Sequence, residues 1–579
     1  MIKAILRRLH EVLARPSPER GTFTKPGEAF LALAGYSVGL GNFWRFPYYS
    51  YKYGGAAFLI SYIVCMMCIG LPLYFMELAL GQYVSLGPTQ MFSFMCPLLS
   101  GVGWGMVLLL LLVTIYYNLL LSWALFYIGA SFFSPLPWSD CQNDFNTDDY
   151  LHSNPEEKSY VAAKEYFIHD VLGQPTGEEG TYEFHGLLVL CLALAWVLVA
   201  LCLGGGIRGT GKILYVTVIF PYVVLACLLA INYDRSNDAG RERWLASFSN
   251  FNSSELLHLD IWISAASQVI YSLGVAYGGI TTLSSYNSLQ QNFIRDAVLV
   301  CLLDVGTSLL SGFVLFSSTV VLTDKKLEDS HGTSVLVFTA LSAMLSRINS
   351  RPWSILFFFM VLTLGLDSQF VMVEAVTTAV FDQFQVLRRN HLPVVMGTCS
   401  LLFVLGLPMC TNYGLSVFNL MDMNTSKHSL LMLGFLEVFI VSYIYGFEKM
   451  VTNVKKDLRL CVPRPLYWYW AATWTVITPL CLLALTVLGL WSEDWSVGDS
   501  LSMFVWGQVI AFGPVFLVPI FGIYKIWTRG DQSLGQLLSA TANFCPQYLR
   551  NGRDPVTNNQ YLPENHFCGD NRAFDLQEL

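Results

Sequence analysis

The sequence predicts an all-α polytopic membrane protein of about twelve transmembrane helices, on three observations. Apolar residues make up 54% of its 579 positions and charged residues only 13%, against about 25% charged in soluble chains. The apolar residues gather in runs that reach the length of a bilayer crossing once short polar interruptions are bridged. Basic residues collect in alternate connections, as the positive-inside rule requires. A membrane β-barrel would instead show alternating segments of about ten residues, which are not seen.

In chain order, residues 1–26 carry Lys3, Arg7, Arg8, Arg15, Arg20 and Lys25. They lack an apolar core before a small-residue cleavage site, so they read as a cytoplasmic segment and not a signal peptide. A membrane domain over 27–527 follows. Its spans are Phe30–Tyr49, Phe58–Leu71, Met106–Tyr127, Leu187–Leu203, Ile213–Ile231 and Ile261–Ser285, then Ala297–Leu322, Ser354–Leu366, Val394–Leu407, Leu430–Ile444, Trp470–Leu490 and Met503–Ile523. The loop 134–183 holds Asp140, Asp148, Asp149, Glu156 and Glu178 but only Lys158 and Lys164 among bases, which places it outside. Arg388, Arg389 and the cluster Lys449, Lys455, Lys456, Arg459 and Arg464 then fall inside, and an even number of spans returns the tail 528–579 to the cytoplasm. That tail is polar and reads as disordered or partner-binding. The acidic outer loop and the glycosylation sequon at Asn252 suit the plasma membrane; a second sequon, Asn424-Thr425-Ser426, lies closer to the bilayer. Most of the 14 cysteines sit in apolar runs and none shows metal-ligand spacing. No nucleophile–base set marks an enzyme, no repeated filter motif marks a channel, and nothing points to nucleic acid.

Two spans carry interruptions at mid-length. Gly35, Gly39 and Gly41 fall within seven residues and are followed by Asn42; Ser272-Leu273-Gly274-Val275-Ala276-Tyr277-Gly278-Gly279 interrupts the later span. Each glycine costs a helix about 1 kcal/mol, so both spans should break and free backbone groups at depth. Close helix packing on small residues is the competing explanation for either stretch alone. As a pair, the breaks point to a midplane binding site of a secondary carrier. Asp367, inside the apolar run Ile355–Val373, is costly unless a cation or a partner answers it.

Four motifs in order, Gly41-Asn42-Phe43-Trp44-Arg45-Phe46-Pro47-Tyr48, Gly54-Gly55-Ala56-Ala57-Phe58-Leu59, the run from Pro72 to Gln82, and Gly365-Leu366-Asp367-Ser368-Gln369-Phe370, closely resemble the neurotransmitter:sodium symporters of the solute carrier 6 family. The resemblance covers roughly residues 20–526. It implies the fold of the bacterial leucine transporter, with two inverted repeats of five helices, the first and sixth helices broken, and two further helices. It also implies a first sodium site at Ser37, Asn42, Ser272 and Asp304, and a second at Gly35, Val38, Leu364, Asp367 and Ser368. The family's chloride would lie among Tyr62, Gln268, Ser272, Asp304 and Ser308. Chloride-dependent members carry Asn where this chain has Asp304, and a fixed carboxylate repels a halide. Sodium is therefore expected as the coupling ion, and chloride is left open, with Asp304 a candidate to replace it.

The resemblance further implies substrate contacts at Gly39, Leu40, Gly41 and Tyr117, and a side-chain pocket at Val113, Thr114, Tyr271, Tyr277 and Met372. Gly39 stands where monoamine carriers place an Asp, which favours a small amino-acid-like substrate, neutral and largely apolar in its side chain. Gates would be Arg45 with Asp422 outside, above a Tyr117–Tyr271 lid, and Arg20 with Asp382 inside, near Tyr286, where Phe23 replaces the family's usual Trp. The outer loop holds Cys141 without a second Cys before the next span, so the family's disulfide is missing there, and the loop after Leu322 looks short. Gly274–Gly279, Ser284–Asn287 and Pro135–Cys141 are most similar to the neutral amino acid and orphan branch, whereas Gly365–Phe370 is more similar to the GABA and glycine branch. The alternatives are a non-transporting relative acting as a sensor, trafficking or interaction protein, favoured by Asp304 and the loop departures, and a GABA- or glycine-type carrier.

Overall fold

The computed structural model describes residues 21–550, apart from 24, 141–142, 144–145, 147–157, 176–182, 236–241, 243–252, 321–332, 349, 427, 493–500 and 530–531. The described residues are helical, with one isolated bridge between Phe184 and Thr411 in place of any strand. Among the described residues, ten helices are long and apolar enough to cross a membrane: α3 (Gly55–Val84), α4 (Pro97–Ala130), α5 (Gly186–Gly204), α6 (Lys212–Asp234), α9 (Phe293–Ser317), α10 (Arg351–Gln383), α11 (Gln385–Cys410), α12 (Gly414–Lys456), α13 (Arg464–Trp491) and α14 (Leu501–Thr528). The expected twelve is completed by two spans that no length criterion finds, because each is made of two short helices.

The first of these is α1 (Pro26–Ser37) and α2 (Phe46–Tyr53), joined through Val38-Gly39-Leu40 and a widened turn at Gly41–Arg45. Pro26 opens α1 where its missing N–H is no loss. Gly54, at φ +79°, ends α2 and turns the chain into α3. The second broken span is α7 (Leu259–Leu273) and α8 (Gly279–Ser284). Gly274 and Gly278 take left-handed conformations between them, and so does Ala276, a residue for which that geometry is uncommon.

A buried carboxylate holds this break open. Glu77 of α3 accepts the Ala276 amide at 2.6 Å and the Thr281 hydroxyl at 3.0 Å, giving partners to groups the helix has released. Helix α10 runs along α4 and also packs against α1, and the broken spans and these two long helices line the central cavity together. Helices α11 and α14 leave much of their apolar surface outward, as lipid-facing helices do. Between spans, Lys158–Glu165 and Thr333–Ile348 pack on one another, with the Phe167 and Phe338 rings stacked at 5.6 Å.

The described part of the tail, residues 532–550, is ordered against the body, whereas the sequence reads as disordered or partner-binding. Leu534–Leu538 forms a short helix with a capping box between Ser533 and Gln536, and Leu537 is buried. Beyond it, Thr541 N–H donates to the Phe94 carbonyl at 2.8 Å, and the Phe544 ring packs between Tyr445 (4.9 Å) and Tyr83 (5.6 Å). Arg550 reaches the Val84 carbonyl at the end of α3. Two apolar anchors in a polar stretch are enough to order it through residue 550. Residues 551–579, Cys141 and the Asn252 sequon lie outside the described residues.

Candidate functional site

The two breaks meet at a small cavity of about 30 Å³. Gly39, Gly41 and Asn42 line it from the first broken span, and Tyr271, Ser272, Gly274 and Tyr277 from the second. Val113 and Tyr117 of α4 and Ser368 and Met372 of α10 complete the expected wall, to which the structure adds Tyr36 and Leu110. The small residue at 39 is a steric requirement: a Cβ there would stand 2.5 Å from Ser368 Oγ and 3.1 Å from the Tyr117 hydroxyl. Two expected contacts do not line the cavity. Thr114 turns its hydroxyl to the Leu110 carbonyl at 2.6 Å, a common resting place for a helical Thr, and Leu40 contributes only its amide, which donates to the Tyr117 hydroxyl at 3.1 Å.

Against one wall lie the residues expected to form the first ion site. The Asp304 carboxylate, fully buried, accepts the Tyr62 hydroxyl at 2.6 Å, Asn42 Nδ2 at 2.7 Å and the Ser272 hydroxyl. Asn42 also donates to Ser308 Oγ at 3.0 Å, while its Oδ1 accepts the Gly39 amide at 3.1 Å. Thus Tyr62 and Ser272, two of the residues assigned to a halide, aim their protons at a carboxylate supplied by the chain. Gln268, a third, donates to the Gly41 carbonyl at 3.1 Å. Ser37 gives its hydroxyl to the Leu273 carbonyl at 3.1 Å, tying the two breaks together. Oxygen atoms of the carboxylate, the Ser272 hydroxyl and freed carbonyls suit a hard cation; Asn42 would present Oδ1 to it by giving up the Gly39 amide.

On the other side of the first break, Asp367 packs against Gly35, where an added Cβ would meet its own Cβ at 3.1 Å. Asp367 is 2% exposed and its Oδ1 has no hydrogen-bond partner. Ser368 Oγ spans the Gly35 and Tyr36 carbonyls at 3.3 and 3.2 Å. Asp367 shares a second cavity with Val38 and Leu364, so the residues expected around the second sodium are neighbours. An unpartnered buried carboxylate oxygen beside freed carbonyls is what a desolvated cation requires.

Above the cavity, Arg45 and Asp422 form an ion pair at 3.3 Å, and Arg45 also donates to Ser426 Oγ at 2.9 Å and lies over the Tyr271 ring at 4.3 Å. The lid hydroxyl pair is Tyr271 with Tyr116 at 3.1 Å, in place of the expected Tyr117, whose hydroxyl is held by Leu40. On the opposite face Asp382 pairs with Arg388 at 2.6 Å and accepts the Gly87 amide at 2.7 Å. Its expected partner Arg20 lies outside the described residues. Phe23 closes edge-on against Tyr286 and donates its N–H to the Tyr286 carbonyl at 3.1 Å, while the Tyr286 hydroxyl holds Glu374 at 3.0 Å and Thr378 at 2.7 Å. Glu77 and Glu374 escaped the sequence reading; an acid inside an apolar run, the signal that singled out Asp367, was present for Glu77 as well.

Two broken helices around a small cavity, with buried carboxylates beside freed backbone groups, are the architecture of a multi-pass membrane carrier. The chain belongs to the sodium:neurotransmitter symporter family, whose pattern matches residues 20–529. It is 35% identical over 576 residues to the human sodium- and chloride-dependent neutral and basic amino acid transporter B(0+), covering 90% of this chain and 88% of the relative. It is 33% identical over 560 residues to the Xenopus laevis sodium- and chloride-dependent glycine transporter 2, covering 88% and 69%. It is 32% identical over 542 residues to the rat sodium- and chloride-dependent GABA transporter 2, covering 88% and 87%. The family is one of transporters and not of enzymes.

Proposed function

We propose that this chain is a sodium-coupled symporter of a small neutral amino acid or amino-acid-like solute, and that Asp304 takes the part that chloride plays in its relatives. One observation carries the reading: among the described residues no charged side chain lines the cavity, while buried Asp304 is bonded to the lining residues Asn42 and Ser272 and buried Asp367 stands next to the lining residue Ser368. A cavity with no fixed charge suits a cargo of no net charge, and its carboxylate would meet the Gly41 amide, the Tyr117 hydroxyl and the first sodium. The carboxylates supply the charge that draws two hard cations out of water. The names of the relatives support an amino-acid-like cargo: neutral and basic amino acids for the transporter B(0+), glycine and GABA for the others.

Asp304 carries the anion argument. A halide placed among Tyr62, Ser272 and Ser308 would lie beside a full negative charge and would compete with it for hydroxyl protons already engaged. With Asp304 ionised, sodium has a permanent counter-charge and chloride is dispensable. The Arg45–Asp422 pair acts as the outer gate, Asp382 and the Phe23–Tyr286 contact as parts of the inner one, and the protein works in the plasma membrane with both termini cytoplasmic.

The test is uptake of a labelled amino-acid panel by cells bearing the chain at their surface. Uptake that vanishes when sodium is replaced by N-methylglucamine supports the symporter. No uptake of any panel member from a protein shown to reach the surface would transfer support to the non-transporting relative.

A further inference from the structure

Four tyrosines line the central cavity, and three of their hydroxyls are engaged. Tyr36 donates to the Gly274 carbonyl at 3.3 Å, Tyr117 accepts the Leu40 amide at 3.1 Å, and Tyr271 pairs with Tyr116 at 3.1 Å. The fourth, Tyr277, is 3% exposed and its hydroxyl has no hydrogen-bond partner. Its ring stands edge-on to Tyr271, with centroids 6.4 Å apart. The other polar side chains on the wall are also committed: Ser272 and Asn42 to Asp304, and Ser368 to the Gly35 and Tyr36 carbonyls. Around the remaining wall, Leu110, Val113 and Met372 offer neither donor nor acceptor.

Buried hydroxyls are almost always paired, and one left unpaired costs more than a new bond would return. We infer that Tyr277 is a specificity residue whose hydroxyl is completed by the substrate, so that the preferred cargo is a neutral amino acid with a hydroxyl or carboxamide on its side chain. This rests on the symporter reading and sharpens it, since the apolar lining alone suggested an aliphatic side chain. Tyrosine both donates and accepts, so an alcohol and an amide satisfy it equally. An aliphatic isostere fills the same volume and leaves the hydroxyl stranded, and a site that hydrogen-bonds its substrate discriminates strongly against the analogue lacking the group.

The experiment compares isosteres on the purified full chain in saturating sodium, reading binding by competition against a labelled ligand found in the uptake panel. Threonine is set against valine and asparagine against leucine. The expected result is a preference of about tenfold for the polar member of each pair, the equivalent of one ordinary hydrogen bond. In Tyr277→Phe both ratios should fall to near one, whatever happens to the absolute affinities. The wild-type ratios need no variant, so a poorly folding Tyr277→Phe leaves the inference open to refutation. Equal affinities in the wild type, or ratios unmoved by Tyr277→Phe, would overturn it and make the hydroxyl part of the lid packing under Arg45. Sodium-dependent binding of no amino acid at all would overturn the symporter reading itself, a result distinct from binding without preference.

Discussion

Asp304 and Asp367 are both buried carboxylates, yet their surroundings differ in a way that separates their roles. Asp304 is saturated with donors, three side chains deep, and so keeps its place with or without an ion. Asp367 has an oxygen with no partner, and a lone buried charge is among the costliest arrangements in a protein. The sodium-free protein should therefore gain stability from Asp367→Ala while losing part of what sodium adds. Thermal unfolding of the purified chain checks this: the baseline midpoint should rise, and the sodium concentration needed for half-maximal stabilisation should increase about tenfold or more, the value of one charged ligand. A variant stabilised by sodium at wild-type concentrations would contradict the placement of a cation there. Asp367 was legible in the sequence because a carboxylate in an apolar run needs a reason. Which of Tyr116 and Tyr117 meets Tyr271 was not, because consecutive residues point about 100° apart on a helix and only the helix phase decides between them.

Among the elements, the broken spans were legible because their glycines are local signals, while what steadies them is not local. Glu77 lies 199 residues before the Ala276 amide it accepts, and no spacing rule connects them. Replacing it with alanine leaves that amide and the Thr281 hydroxyl without partners, at about 1–3 kcal/mol each. Glu77→Ala is expected to lower the unfolding midpoint and to weaken substrate binding together, since α8 and the cavity wall share the same break; loss of one without the other would contradict this coupling. The tail shows the opposite failure. Its average polarity concealed Leu537 and Phe544, and the Ser533 to Gln536 capping box was a readable start signal that composition overrode. Its contacts run to Val84 and Phe94, so it is strapped to the connection between α3 and α4.

Taken whole, the molecule is closed on the Arg45 side, with the cation stacked between an acid and an aromatic ring over the cavity. Most of this pair is buried, yet 13% of the Asp422 side chain stays exposed, so under the proposed gating role the pair can part without burying a lone charge. On the proposed reading, alternating access needs the substrate and its coupling cations to favour closure by their own contacts, and a counter-charge at Asp304 would set what else must bind with them. The family could be read from motifs, and Asp304 raised the question of chloride from the sequence alone; where the Tyr62 and Ser272 hydroxyls point could not be read there, because it depends on packing across the fold. The most direct measurement is uptake into proteoliposomes with an inward sodium gradient and gluconate replacing all chloride, for the wild type beside Asp304→Asn. The wild type should keep its rate without halide, while Asp304→Asn should lose most uptake and regain it when chloride is restored. A wild type that stops in gluconate would contradict the claim that this chain carries its own anion.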